Sequence, residues 1–214
     1  MSVRNLALAG LLGLLGACSV KPVEPYSEPP LGTAVAQLRV ITNGEVRGAA
    51  YAGCLPDSQR LAKAGRFVSG HRPNVNYPQF PEAPRQIDML ARFAPKLPDY
   101  PGAIRRGEGD YSEVVTEYRV PAGRPFLLDG GGVAAGGSVN TYRTCPQVQK
   151  VVVFEPGKSY EAYVGLNYIP VAGGEVEAMC VFTVYQLLPL SKPGASMPLA
   201  LPTTQPAQQR CSSR

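Results

Sequence analysis

Residues 113–128 read Glu-Val-Val-Thr-Glu-Tyr-Arg-Val-Pro-Ala-Gly-Arg-Pro-Phe-Leu-Leu, and this stretch decides the fold. From Glu113 to Val120 two sets of side chains alternate. Val114, Thr116, Tyr118 and Val120 fall on one side, Glu113, Val115, Glu117 and Arg119 on the other. A period of two in β-branched and aromatic residues marks a strand with one buried face. Pro121-Ala-Gly123 then turns the chain into a second strand, Arg124–Leu128.

The same pattern recurs on both sides. Thr33–Thr42 places Ala34, Ala36, Leu38 and Val40 on one face, with Gln37 and Arg39 on the other. Lys150–Phe154 is a short apolar run, and Glu155-Pro-Gly157 turns into Ser159–Leu166, where Tyr160, Ala162, Val164 and Leu166 align. Ala178–Leu188 is β-rich on both faces, as expected of a central strand. Short strands joined by Gly/Pro turns predict an all-β chain, an antiparallel β-sandwich. The 23 Gly and 22 Pro in 214 residues exclude a long helical bundle, because proline removes helix donors and glycine raises the entropy cost of ordering. One short helix is expected: Pro84 suits its first turn, Ile87, Leu90, Ala91 and Ala94 share a face, and Pro95 stops it.

Five segments follow: 1–17, 18–32, 33–188, 189–214 and, inside the domain, an irregular insertion at 70–112. Residues 18–32 and 189–214 are proline-rich, so an extended tether precedes the domain and an extended or disordered tail follows it unless Cys211 ties the tail down. The insertion holds seven prolines, with aromatics that include Tyr77, Phe80, Tyr100 and Tyr111, and a connection this long inside a domain is either functional or mobile.

The N-terminus has one positive charge, Arg4, before twelve apolar residues, Leu6–Ala17. As a helix these would span about 18 Å against a hydrocarbon core of ~30 Å, too short for a transmembrane segment and suited to a secretory signal. The tetrad Leu15-Gly16-Ala17-Cys18 resembles the lipobox of bacterial lipoproteins. That resemblance implies cleavage before Cys18, lipidation of its sulfur and removal of residues 1–17. Ser19, in place of the Asp that marks inner-membrane retention, implies the outer membrane, on its periplasmic face in a Gram-negative host.

Export gives the other four cysteines a structural meaning, since an even number in an oxidising compartment forms bridges. Cys54, Cys145, Cys180 and Cys211 allow three connectivities. The β-rich surroundings of Cys145 and Cys180 favour pairing those two, which leaves Cys54 for Cys211. No C-x-x-C pair is present for zinc or thioredoxin-type redox chemistry.

Motifs for catalysis and cofactors are weak. Gly130–Gly137 contains G-x-G-x-x-A, but the following Gly-Ser-Val-Asn-Thr does not propagate the helix that a dinucleotide needs, so a flexible hairpin loop is expected and no cofactor. His71 is the only imidazole, and Ser69, Ser112 and Ser138 lack a nucleophile elbow. The pairs Glu113/Glu117 and Glu175/Glu177 read as solvated positions, and no tryptophan is present to stack on a sugar. From Arg60 to Arg106 nine basic residues face three acids, so Arg60, Arg66, Arg72, Arg105 and Arg106 are candidate anion-binding residues for lipopolysaccharide phosphates or phospholipid headgroups. The formal charge of +5 is modest, and with export no nucleic-acid partner is expected.

The succession Glu117-Tyr-Arg-Val-Pro-Ala-Gly-Arg-Pro125, Cys145, Phe154-Glu-Pro-Gly-Lys-Ser-Tyr160 and Cys180-Val-Phe-Thr-Val184 resembles uncharacterised proteobacterial periplasmic lipoproteins. It implies a β-sandwich with a Cys145–Cys180 bridge and no assigned activity. Three functional readings stand: a lipid-anchored, non-enzymatic binding or structural module with an envelope protein partner; a periplasmic hydrolase on cell-wall or lipid substrates; and an anion-binding module.

Overall fold

The computed structural model describes residues 22–63, 86–92, 114–130, 133–136, 142–170, 173, 176–191 and 193–212. Twelve strands are formed there: β1 (Val35–Thr42), β2 (Glu45–Ala50), β3 (Gln59–Lys63), β4 (Ala91–Arg92), β5 (Val114–Pro121), β6 (Pro125–Gly130), β7 (Val133–Gly136), β8 (Tyr142–Cys145), β9 (Val148–Val153), β10 (Ser159–Pro170), β11 (Val176–Pro189) and β12 (Ala195–Ala200). They build a six-stranded sheet, β4-β12-β11-β10-β1-β5, and a four-stranded sheet, β3-β2-β6-β9. The two pack face to face as a β-sandwich. A separate β7–β8 ribbon stands where the glycine-rich hairpin loop was expected.

All six strands read from the sequence are present, and where alternation was read, in β1, β5 and β10, the apolar face is the one in the core. Leu38, Val40, Val120, Tyr160, Ala162 and Val184 of the large sheet meet Val46, Leu61, Phe126, Leu128 and Val152 of the small one, with Phe154 beside them. The Pro121–Gly123 turn passes the chain from the large sheet (β5) to the small one (β6), and Gly123 takes the left-handed φ of 72° that glycine tolerates. Pairing is mostly antiparallel. Two pairs are parallel, β1 with β10 and β12 with β4, a departure from the all-antiparallel expectation.

Where the parallel β1–β10 ladder runs out, Asn43 continues it. Its Oδ1 accepts from the Leu166 N–H at 3.0 Å and its Nδ2 donates to the Leu166 carbonyl at 2.7 Å. Gly165 is required beside it, because a Cβ there would run into Asn43 Oδ1.

The helix expected at Pro84–Ala94 is not formed over residues 86–92. Residues 86–90 are irregular and Ala91–Arg92 join the edge of the large sheet beside β12. Asp88 sits at φ 57°, a left-handed conformation that breaks any helix.

Both proline-rich arms lie on the domain. The Tyr26 N–H donates to the Arg60 carbonyl, and the Arg60 N–H donates to that of Glu24, so the N-terminal arm extends the β3 edge. Tyr26 packs edge-on to Tyr118 and Phe126, with ring centroids 5.4 and 6.1 Å apart. Burial, with the Glu28 carboxylate second, pushes its phenol far above the ordinary value, so it stays neutral. The arm expected as a free tether is therefore docked from Pro22 onward.

The C-terminal arm leaves β12, exchanges two hydrogen bonds between Thr204 and Val151 on the β9 edge, and ends with Arg210 beside Leu55. Cys211 ties it down: the disulfides are Cys54–Cys211 and Cys145–Cys180, Cα atoms 5.0 and 5.5 Å apart. In the chain-entropy account, the 157-residue separation of the first is worth about 5 kcal/mol and the 35-residue separation of the second about 4.

Because the Cys54–Cys211 bridge closes the longer loop and secures an arm, the variant C54S/C211S tests it. Its amides at Leu201, Thr204 and position 211, bonded in the native chain to Val184, Val151 and Leu55, should lose hydrogen-exchange protection while β1 and β10 keep theirs. Unchanged protection at Thr204 would mean that the arm is held without the bridge.

Candidate functional site

Two polar assemblies stand out, one on the outer face of each sheet. The first is fixed by register. Arg39 of β1 lies opposite Glu117 of antiparallel β5 and opposite Glu161 of parallel β10, so three charged side chains form a row across three adjacent strands. Arg39 Nε donates to Glu117 Oε1 at 2.9 Å and its Nη1 to Glu161 Oε2 at 3.2 Å. The row is buried, with side-chain exposures of 12% for Arg39, 6% for Glu117 and 1% for Glu161.

Residues 86–92 cover it. Arg39 Nη2 donates to the carbonyls of Leu90 (3.0 Å) and Met89 (3.4 Å). Glu117 Oε2 accepts the backbone N–H of Ile87 (2.8 Å) and, more weakly, of Met89 (3.4 Å). The left-handed turn at Asp88 is what aims both flanking amides at one carboxylate. A planar guanidinium offers five donors in a fixed fork, which lets one residue serve two carboxylates and a peptide segment. Glu117, one of the paired acids singled out in the sequence, thus clamps chain to chain. It is a structural anchor, and its partner in that pair, Glu113, lies outside the described residues.

The second assembly is a groove of about 460 Å³ on the outer face of the small sheet. Its floor is Arg47 of β2, Asp129 of β6 and Gln149 of β9, with Gln147 beside them. Its rim is made by the β2–β3 loop, Leu55–Gln59, by Pro22–Glu24 of the N-terminal arm, which runs alongside the start of β3, and by Arg210 of the C-terminal arm. Asp129 is buried and accepts from the amides of Gln147 (2.8 and 3.0 Å) and Gln149 (3.0 Å), while Glu45 holds Arg47 Nε. Glu24, Asp57 and Arg210 are exposed around the opening. The floor is therefore prearranged, and cations and anions share the rim. A volume of this size falls within the range that holds small molecules. A second, apolar cleft of about 70 Å³ beside Cys145–Cys180 has room for little more than solvent.

Of the candidate anion-binding arginines, Arg60 is described and its Nη1 donates to the Val23 carbonyl at 3.0 Å, holding the N-terminal arm. Arg66, Arg72, Arg105 and Arg106 lie outside the described residues, as do Cys18 and His71. Glu177 is traced in β11 by its backbone, and its partner Glu175 lies outside. Among the described residues no three His, Cys, Asp or Glu converge to hold a metal ion. The groove was missed in the sequence because its floor comes from three strands far apart in the chain and its walls from the two arms. The arms' prolines were legible, and where they dock was not.

No family model matches the chain, and no curated protein or solved structure is significantly similar to it.

If Arg39 holds the covering segment, Arg39→Ala leaves two buried carboxylates without their shared cation and should cost about 3–5 kcal/mol of stability in urea unfolding. The Ile87 and Met89 amides should also exchange faster. A loss below about 1 kcal/mol, with those amides still protected, would show that the cluster is not the anchor.

Proposed function

We propose that the chain is a lipid-anchored protein of the cell envelope, held on the periplasmic face of a Gram-negative outer membrane, whose β-sandwich serves as a non-enzymatic binding or structural module. The observation that carries this reading is the cysteine balance. Two disulfides use four of the five cysteines, and the fifth is Cys18 of the Leu15-Gly16-Ala17-Cys18 tetrad. Paired cysteines fit an oxidising compartment, and a remaining thiol next to two small residues fits a lipid attachment point.

The docked N-terminal arm supports the same reading and tightens it. Cys18 is four positions before Pro22, where the arm is already on the domain, so the attached lipid lies within about 14 Å of it. A 15-residue free tether would let the domain wander; this one holds it against the bilayer. Acyl chains contribute about 0.8 kcal/mol per buried methylene, and a modified terminus with several chains anchors stably where one would be marginal. Arg39, Glu117 and Arg60 hold chain segments together, in keeping with a module whose charges are structural.

Produced with its leader in a diderm host, the protein should sediment with the outer membrane, and its N-terminal peptide should begin at Cys18 and carry acyl mass. Cys18→Ala should move it to the soluble fraction with both disulfides intact. An unacylated chain that still begins at Met1 would sink the reading.

A further inference from the structure

We propose that the groove on the outer face of the small sheet binds the headgroup of a membrane phospholipid, the zwitterion phosphoethanolamine. The position of the site relative to the bilayer rests on the lipid anchor proposed above; its chemistry does not.

Charge selects the ligand class. Arg47 and Arg210 line the groove together with Glu24, Asp57 and Asp129. A site that mixes two guanidiniums with three carboxylates disfavours a bare polyanion and suits a group that carries one charge of each sign. The guanidinium fork matches phosphate oxygens, with Arg47 steadied by Glu45 and Arg210 open to solvent. Asp57 and Glu24, exposed on the walls, are acceptors for a primary ammonium, which donates three hydrogen bonds. The buried Asp129, locked between Gln147 and Gln149, keeps the floor polar and rigid.

Place selects the source. The N-terminal wall of the groove is Pro22–Glu24, and Cys18 is only four residues earlier, so the lipid attachment lies within about 14 Å of this opening. The end of the C-terminal arm, fixed by Cys54–Cys211, also lines the groove through Arg210. The face bounded by both arms is the one the anchor holds nearest the bilayer. A headgroup held there would add a second, non-covalent contact beside the acyl chains and fix which side of the domain faces the membrane.

The test uses the unlipidated Cys18→Ser chain with both disulfides formed and three vesicle compositions: phosphatidylcholine alone, and phosphatidylcholine mixed with phosphatidylethanolamine or with phosphatidylglycerol. Cosedimentation should be at least tenfold tighter with phosphatidylethanolamine than with either of the others, because a quaternary ammonium donates no hydrogen bond and phosphatidylglycerol carries no cation. Arg210→Gln should weaken it about tenfold, Asp57→Asn should erase the preference over phosphatidylcholine, and soluble glycerophosphoethanolamine should compete. Both substituted residues are exposed, so the variants keep the fold. Equal binding to all three vesicles, tighter binding to phosphatidylglycerol, or indifference to both substitutions overturns the proposal. The two readings fail separately: an acylated chain without the ethanolamine preference removes the groove site alone, and the preference in a chain that is never acylated removes the anchor alone.

Discussion

The guanidinium of Arg39 sets the constraint on which the large sheet depends. Its row with Glu117 and Glu161 exists only when β1 is in one register with β5 and in one with β10. A slip of one residue would turn Arg39 into the core and bring Ala36, Leu38 and Val40 out to the other face, since side chains alternate along a strand. Apolar burial on the inner face and charge pairing on the outer face therefore specify the same alignment. The parallel β1–β10 contact is the pairing least determined by local chain direction, because its strands are separated by most of the domain. It is here that a charged pair adds most to specificity, and Asn43 secures the end of the same ladder.

The row also explains why a sandwich with an ordinary core needs a buried charge. The outer face of the large sheet carries Arg39, Glu117 and Glu161 and is covered at residues 86–92 by backbone that is not in regular structure beyond Ala91–Arg92. Irregular backbone laid over a sheet leaves peptide groups without ladder partners, and burying them unpaired would cost more than a hydrogen bond returns. Arg39 donates to two of those carbonyls and Glu117 accepts from two of those amides. One guanidinium serves both carboxylates, and Arg39 and Glu117 spend their remaining capacity on the crossing chain.

Much of the sandwich was legible and the missing parts have physical reasons. The six strands were readable because each puts apolar side chains into a common core, by alternation in β1, β5 and β10 and by apolar runs in β9 and β11. β2 was not, since Gly48-Ala49-Ala50 has little strand propensity; Gly48 is glycine because Leu61 and the Phe126 ring occupy the space its Cβ would take. β12 was hidden by Pro198, which is tolerated because, among the described residues, β4 pairs with Ala195 and Ser196 and no strand pairs on that side at residue 198. The expected helix had the right apolar spacing at Ile87, Leu90 and Ala91, yet spacing is local, and the Glu117 and Arg39 side chains compete for the amides and carbonyls a helix would have used. Cysteine pairing was favoured correctly from position, whereas the groove was not legible at all.

The arms change how the small sheet should be regarded. Its two edges, β3 and β9, would each present unpaired peptide groups, the usual template for unwanted strand addition. The N-terminal arm satisfies β3 through Glu24 and Tyr26, and the C-terminal arm satisfies β9 through Thr204. Proline suits this task, because an arm with few N–H groups of its own can close one edge without creating another. The same two arms then meet the outer face of that sheet and leave uncovered the polar patch between them. A protein that only protected its edges would have no reason to keep Asp129 buried, with its carboxylate bridged by two glutamines and with Arg47 and Arg210 lining the same groove. Edge protection accounts for where the arms run; it does not account for the floor they frame, and that polar order sets this face apart from the outer face of the large sheet, where the buried charges hold chain to chain.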